Sequence, residues 1–198
     1  MPIAKIRDRA YNLGSFPSDR RYAMPRRKVH TVIGLALVAF LPPFVIAQEK
    51  ATPQEIISKV REAAHVLAKS AATPSAAALE QFDRRQEPWV WKDTYIFVVD
   101  CSQAVIAAHP INSELIGKDA TSLLDTQGHP FFYQVCDALK RPNGIWLQYW
   151  WPKPGQKEGS RKISYAVRAG NTQYVVGAGI YDDKLTIPEL EKLTRPSK

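Results

Sequence analysis

Residues 145–181 read IWLQYWWPKPGQKEGSRKISYAVRAGNTQYVVGAGIY, and this stretch decides the fold. Three runs within it, 145–151, 161–167 and 173–181, are rich in β-branched and aromatic residues, which is typical of β-strands. The connections between them contain proline, glycine and asparagine, which favour turns. The stretch therefore predicts three consecutive antiparallel strands joined by hairpins.

Two further strands are predicted upstream of this stretch. Residues 89–100, WVWKDTYIFVVD, alternate between two faces that are both apolar, so both faces are expected to be covered. A second, shorter strand is predicted over 104–109, and helical spacing predicts a helix over 130–139. A helical crossover followed by strands in hairpins predicts an α+β fold. We expect a central antiparallel sheet of about five strands, with helices and loops over one face.

A helical arm is predicted ahead of the sheet. Thr52 is a suitable N-cap, Pro53 suits the first helical position and Glu55 completes a capping box. Apolar residues then recur at helical spacing as far as Leu67, and the step Thr73-Pro74-Ser75 interrupts the pattern. The expected organisation is a helical arm over 48–88, a domain core over 89–183 and a polar tail over 184–198.

The N-terminal residues have the composition of an export signal. Arg26, Arg27 and Lys28 precede the apolar run TVIGLALVAFL at 31–41, and small residues lie before Gln48. That order is typical of a secretory signal peptide, predicted here over 24–47, with an uncleaved inner-membrane anchor as the alternative. Residues 1–23 are predicted to be disordered or a mis-annotated extension. The mature protein is therefore expected to be periplasmic or secreted.

The positive charge of the chain is concentrated in this leader. Residues 1–47 hold eight Lys and Arg and two Asp and Glu, whereas the remainder holds nineteen and seventeen. The net charges are therefore +6 and +2. Residues 48–198 are therefore nearly neutral and lack the basic stripe that binds a phosphate backbone, so we expect no nucleic acid partner.

The chain has two cysteines, Cys101 and Cys136. Both follow the predicted export signal, so they would meet an oxidising compartment, and a single disulfide between them is expected. The alternative is a pair of buried free thiols. Two thiols are too few for a structural zinc site, and no metal or cofactor is expected.

Five short motifs, in this order, resemble the single Cache domain family. They are VIAAHPINSELIGKD at 105–119, DTQG at 125–128, WLQYWWPKP at 146–154, KISY at 162–165 and GAGIYDD at 177–183. The single Cache domain is a PAS-like extracellular sensing module of bacterial chemoreceptors and sensor kinases. The resemblance implies a central antiparallel sheet with a long N-terminal helix. It also implies a pocket for small ligands, often short carboxylates, between the sheet and its helices and loops.

The candidate ligand-binding residues lie mainly on the predicted strands. Aromatic side chains could form the walls and floor of a pocket, Lys162 could neutralise a carboxylate, and His109 could donate to a ligand. The alternatives are core packing for the aromatics, a solvated edge lysine and a histidine satisfied by backbone. Strand alternation puts Lys162 and Tyr165 on opposite faces unless a bulge intervenes. The candidates are Tyr95, Phe97, His109, Tyr149, Trp151, Lys162 and Tyr165.

The sequence and the resemblance together imply a free-standing, exported sensor domain. We expect it to bind a small polar ligand, such as a short organic acid, without catalysis, and to act with a membrane-bound signalling partner. One alternative is a protein-interaction module that binds no ligand. The other is a periplasmic enzyme with His109 as acid or base, although the chain has no GxSxG, P-loop or HExxH motif.

Overall fold

The computed structural model of the 198-residue chain describes residues 49–70 and 76–195. The predictions for 1–23, for the export signal over 24–47 and for the interruption at 73–75 lie outside the described residues. Within the described ranges, no helix has both the length and the apolar character needed to cross a bilayer.

The first helix, α1 (Pro53–Ala68), begins at the predicted capping box. The Glu55 N–H donates to Thr52 Oγ1 at 3.3 Å, and the Thr52 N–H donates to Glu55 Oε2 at 2.8 Å. These bonds satisfy backbone donors that the first turn of a helix leaves unpaired. One face of α1 is buried against the sheet, through Ile56, Ile57, Val60, Ala63, Ala64 and Leu67. A short helix, α2 (Ala76–Glu80), follows.

The strand predicted over 89–100 is divided by a turn. A small hairpin, β1 (Val90–Trp91) with β2 (Thr94–Tyr95), precedes β3 (Phe97–Asp100). At the turn Lys92 has a φ of 47°, and its Nζ lies 2.8 Å from Glu49 Oε1 and 2.7 Å from Glu55 Oε1. The Ala51 N–H donates to Asp93 Oδ1 at 2.8 Å. The turn is therefore held by the chain that enters α1, a long-range contact that strand propensity does not contain.

The central sheet has five antiparallel strands, as predicted. The remaining strands are β4 (Val105–Ala108), β5 (Ile145–Pro152), β6 (Gly159–Arg168) and β7 (Tyr174–Tyr181). Their order across the sheet is β4-β3-β7-β6-β5, so β7 is the middle strand and β4 and β5 form the two edges. The last three strands follow one another in hairpins from 145 to 181.

Both faces of the sheet are covered, which confirms the prediction from the two apolar faces of 89–100. One face packs against α1 and against α4 (Ile187–Thr194). The other face is covered by residues 109–131 and by α3 (Phe132–Cys136), which continues as a 3-10 turn at Asp137–Lys140. The helix predicted over 130–139 is therefore an α-helical turn followed by a tighter one.

A disulfide joins Cys101, directly after β3, to Cys136, the last residue of α3. The predicted bridge is thus present in the structure. It connects the sheet to the helix that covers the face opposite α1. Cross-linking two points 35 residues apart in sequence restricts the unfolded chain, which in the chain-entropy model contributes roughly 4 kcal/mol.

Candidate functional site

A small cavity lies on the sheet face opposite α1, beneath residues 109–131 and α3. Its volume is about 30 Å³, and its wall is largely apolar. A water-sized group needs roughly 10–15 Å³, so this inner cavity accommodates about two non-hydrogen atoms. Its aromatic and polar wall residues are Tyr95, Phe97, His109, Phe131, Phe132, Tyr149, Trp151 and Lys162.

Lys162 is the cation of the inner cavity. It lies in the middle of β6, and only 1% of the residue is exposed. Its Nζ is 4.1 Å from the centroid of the Tyr95 ring, 5.3 Å from that of Tyr181 and 5.6 Å from that of Phe97. Among the described residues, no ion pair or hydrogen bond to this Nζ is formed. Three aromatic rings therefore provide its immediate electrostatic stabilisation.

Burial makes the Lys162 ammonium unstable. Loss of hydration lowers the pKa of Lys162 to about 7, while the negative charge of Asp93 acts in the opposite direction. Desolvation therefore exceeds the stabilisation that the surrounding groups provide. An additional anion close to Nζ would restore the balance, since an opposite charge favours the ammonium form.

His109 lines the same cavity and carries one neutral donor. The Asn112 N–H donates to His109 Nδ1 at 3.0 Å, so Nδ1 is unprotonated and the neutral ring carries its proton on Nε2. Burial, together with the positive charge of Lys162, lowers the pKa of His109 to about 3. The imidazole is therefore neutral at physiological pH and can donate one hydrogen bond from Nε2.

The aromatic wall is built by packing between the sheet and residues 109–131, which we call the covering segment. The ring of Phe131 stacks on that of Tyr149 at a centroid distance of 4.4 Å and an angle of 1°. The Trp151 ring meets Phe131 edge-on at 5.6 Å. The Tyr149 hydroxyl forms a 2.9 Å hydrogen bond with Ser164 Oγ, so this polar group of the wall has a partner on the neighbouring strand. These contacts fix the orientation of the wall.

Six of the seven predicted site residues meet at this cavity, and Tyr165 does not. Alternation along β6 places Lys162 on the cavity face and Tyr165 on the α1 face, because no bulge interrupts the β5–β6 register. The Tyr165 hydroxyl donates to the Asn143 carbonyl at 2.7 Å and accepts from Arg61 Nη2 at 3.4 Å. Its role in this structure is to join α1 to the turn before β5.

Two wall residues, Phe131 and Phe132, were not predicted from the sequence. Their signal is the pair of phenylalanines that follows Pro130, at the start of the predicted helix. Asp93 was also not predicted, although its charge raises the pKa of Lys162. Asp93 and Lys162 are far apart in the sequence, so the sequence does not indicate that the two groups interact.

The acidic residues in the covering segment stabilise turns. Asp125 Oδ1 accepts from the N–H groups of Gln127 and His129, both at 2.9 Å, and its Oδ2 accepts from the Trp150 N–H at 3.0 Å. Asp119 accepts from the Thr121 N–H at 2.9 Å. In the part of the chain that the structure describes, no group of three or more His, Cys, Asp and Glu side chains is placed to hold a metal ion.

The chain matches the family model described as Cache domain over residues 59–186. The chain belongs to the Cache family. The match includes every cavity wall residue from Tyr95 to Lys162, so the site described above is part of the Cache domain.

Two relatives of known class contain a similar segment. The methyl-accepting chemotaxis protein McpP of Pseudomonas putida is 28% identical over 122 residues, which is 62% of this chain and 21% of McpP. The sensor histidine kinase MctS of Rhizobium johnstonii is 33% identical over 92 residues, which is 46% of this chain and 20% of MctS. The chain therefore spans about a fifth of the length of these relatives.

Solved structures share the fold of this Cache domain. A periplasmic sensor domain of a chemotaxis protein has a TM-score of 0.51 and 28% identity, covering 64% of this chain and 93% of that one. A methyl-accepting chemotaxis protein from Vibrio parahaemolyticus has a TM-score of 0.52 and 26% identity, covering 66% and 88%. A Cache chemosensory domain solved for carboxylic acid recognition has a TM-score of 0.52 at 24% identity, covering 66% and 92%, and shows the common fold. This chain thus contains a Cache sensor domain.

Proposed function

We propose that this Cache domain is an exported sensor that binds a short organic acid in the inner cavity without catalysis. Lys162 anchors the carboxylate, and His109 donates a second hydrogen bond from Nε2. The observation that carries the proposal is the buried Lys162 ammonium, which faces an apolar cavity with aromatic rings as its only close partners among the described residues.

A carboxylate complements this site because it supplies the missing negative charge. A buried ammonium without a partner is costly, whereas a charge-assisted hydrogen bond to a carboxylate is short and strong. The cavity wall beyond Lys162 is apolar, including Val99, Ile106 and Val135, so it suits a short alkyl chain rather than a second charged group. One cation and an apolar wall together favour a monocarboxylate.

The proposal also includes export to the periplasm and a signalling partner. The apolar run at 31–41, with Arg26, Arg27 and Lys28 before it, supports secretion to the periplasm, and the Cys101–Cys136 disulfide suits an oxidising compartment. The relatives that contain a similar segment are a methyl-accepting chemotaxis protein and a sensor histidine kinase. By analogy with those relatives, we propose that this domain acts with a membrane-bound signalling partner.

A thermal-shift screen of short monocarboxylates tests the proposed function. A ligand present at one hundred times its dissociation constant raises the free energy of unfolding by about 2.7 kcal/mol. For a domain of this size we expect the melting temperature to rise by roughly 5–10 °C. The measurement is differential scanning fluorimetry with sodium formate, acetate, propionate and butyrate at constant ionic strength.

The matched controls for this screen are acetamide and propionamide, which have nearly the same shape without the charge. They are expected to leave the melting temperature unchanged, because Lys162 requires an anion. A screen in which no acid stabilises the domain more than its amide does would contradict the proposed function.

A further inference from the structure

A second hollow adjoins the inner cavity and opens toward the surface. This outer hollow has a volume of about 290 Å³, roughly ten times that of the inner cavity. The two spaces share three wall residues, Tyr95, His109 and Trp151. These three residues therefore form the partition between the small inner cavity and the much larger outer hollow.

Trp151 is the most exposed member of this partition. Tyr95 is 1% exposed and His109 is 6% exposed. His109 is additionally held by a bond from its N–H to Asp83 Oδ1 at 2.9 Å and by the bond from Asn112 to its ring. Trp151 is half-buried and lies near the end of the edge strand β5, just before the connection to β6.

The position of Lys162 orients an acid relative to this partition. Lys162 lines the inner cavity and does not line the outer hollow. When Lys162 binds the carboxylate of an acid, the alkyl chain of that acid must therefore either fit within the inner cavity or extend past Trp151. Because the inner cavity holds about two non-hydrogen atoms, each added carbon presses on its wall.

We propose that the Trp151 indole sets the upper length limit of the acids that this domain binds, by separating the inner cavity from the outer hollow. This inference rests on the proposed function. Acetate and propionate, with four and five non-hydrogen atoms, already exceed the space of the inner cavity and need displacement of its wall, whereas longer acids need in addition the volume that the indole occupies. Replacing Trp151 with a small residue joins the two spaces and gives a longer chain access to the outer hollow.

The test is a calorimetric series with acetate, propionate, butyrate and hexanoate on the wild type and on Trp151→Ala. In the wild type, hexanoate is expected to bind at least tenfold more weakly than propionate, since misfit in a close-packed site commonly costs a factor of this size. In Trp151→Ala this preference is expected to disappear or reverse. In Trp151→Phe the preference for propionate over hexanoate is expected to be intermediate. This variant provides the test if the alanine variant does not fold.

Trp150→Ala is the matched control, because the neighbouring Trp150 projects from the other face of β5 and lines neither space. It is expected to keep the wild-type preference for short acids. If the wild type binds short acids and the Trp151 variants keep the same length limit, the role of Trp151 is wrong and the proposed function stands. If the wild type binds no acid of the series, both the proposed function and this inference are overturned.

Discussion

Replacing Lys162 with methionine is expected to weaken the binding of short acids and, at the same time, to stabilise the domain. The binding loss follows from removal of the one cationic side chain that the described residues contribute to the cavity wall. A hydrogen bond to a charged group contributes about 1.5–3 kcal/mol, which corresponds to roughly 10- to 150-fold in affinity. Calorimetry with acetate or propionate measures this loss.

The gain in stability follows from the pKa of Lys162. The folded-state value, about 7, lies below the ordinary value of 10.5, so the unfolded chain binds more protons between these two pH values. At pH 7 and below, this difference destabilises the fold by about 4–5 kcal/mol at 1.36 kcal/mol per unit. Methionine also removes the cation–π contacts, worth up to about 2 kcal/mol, so the net gain is roughly 2–3 kcal/mol.

The pH dependence identifies Lys162 as the source of this gain. The free energy of unfolding of the wild type is expected to rise from pH 7 toward pH 10 relative to that of Lys162→Met, so the advantage of the variant declines over that window. Urea denaturation at several pH values measures it. Lys140→Met, at an exposed lysine on the 3-10 turn, is the control, and it should change stability by less than about 0.5 kcal/mol. A Lys162→Met variant that is less stable than the wild type at pH 7 would contradict this account.

Removing the disulfide is expected to destabilise the domain and to disrupt the ligand site. In the Cys101→Ala, Cys136→Ala double variant, the free energy of unfolding should fall by about 2–5 kcal/mol, because the unfolded chain regains the freedom of a 35-residue loop. Cys136 ends α3, and the α3 residues Phe132 and Val135 line the inner cavity. Without the bridge, this wall is held only by packing, so affinity for acids is expected to fall as well.

Chemical denaturation and calorimetry, with and without a reducing agent, measure both effects. The reducing agent should lower the stability of the wild type toward that of the double variant. It should leave the double variant unchanged, which controls for other effects of the agent. A loss of less than about 1 kcal/mol, together with unchanged affinity, would show that the bridge does not support the site.

Local sequence pattern was sufficient for the fold and for much of the site. The β-branched and aromatic runs over 145–181 specify the three hairpin-connected strands, and the capping box at Thr52 specifies the start of α1. Strand alternation also separates Lys162 from Tyr165, and the uninterrupted register of β6 in the structure follows that alternation. These features depend on residues that are close in sequence, which is why they could be predicted.

The remaining features depend on contacts between distant residues. The turn at Lys92 is stabilised by Glu49 and Glu55, and Phe131 reaches Tyr149 only because the covering segment folds back over the sheet. The volume of the inner cavity depends on how aromatic side chains from several elements pack together. The size of these side chains and the periodicity of apolar residues in the sequence indicate that the side chains are buried. They do not indicate how much space remains between them.

The protonation of Lys162 tests the central claim most directly. We expect nitrogen-15 NMR of the lysine Nζ groups to show that Lys162 titrates near pH 7 without acid, as burial dictates. Saturating acetate or propionate should raise this pKa by at least about one unit, since a bound carboxylate favours the ammonium form. By linkage, the affinity for the acid should fall by up to tenfold per pH unit between the pKa of the unliganded lysine and that of the liganded one. A Lys162 that titrates near its ordinary value, or whose pKa is unchanged by a bound acid, would contradict the account.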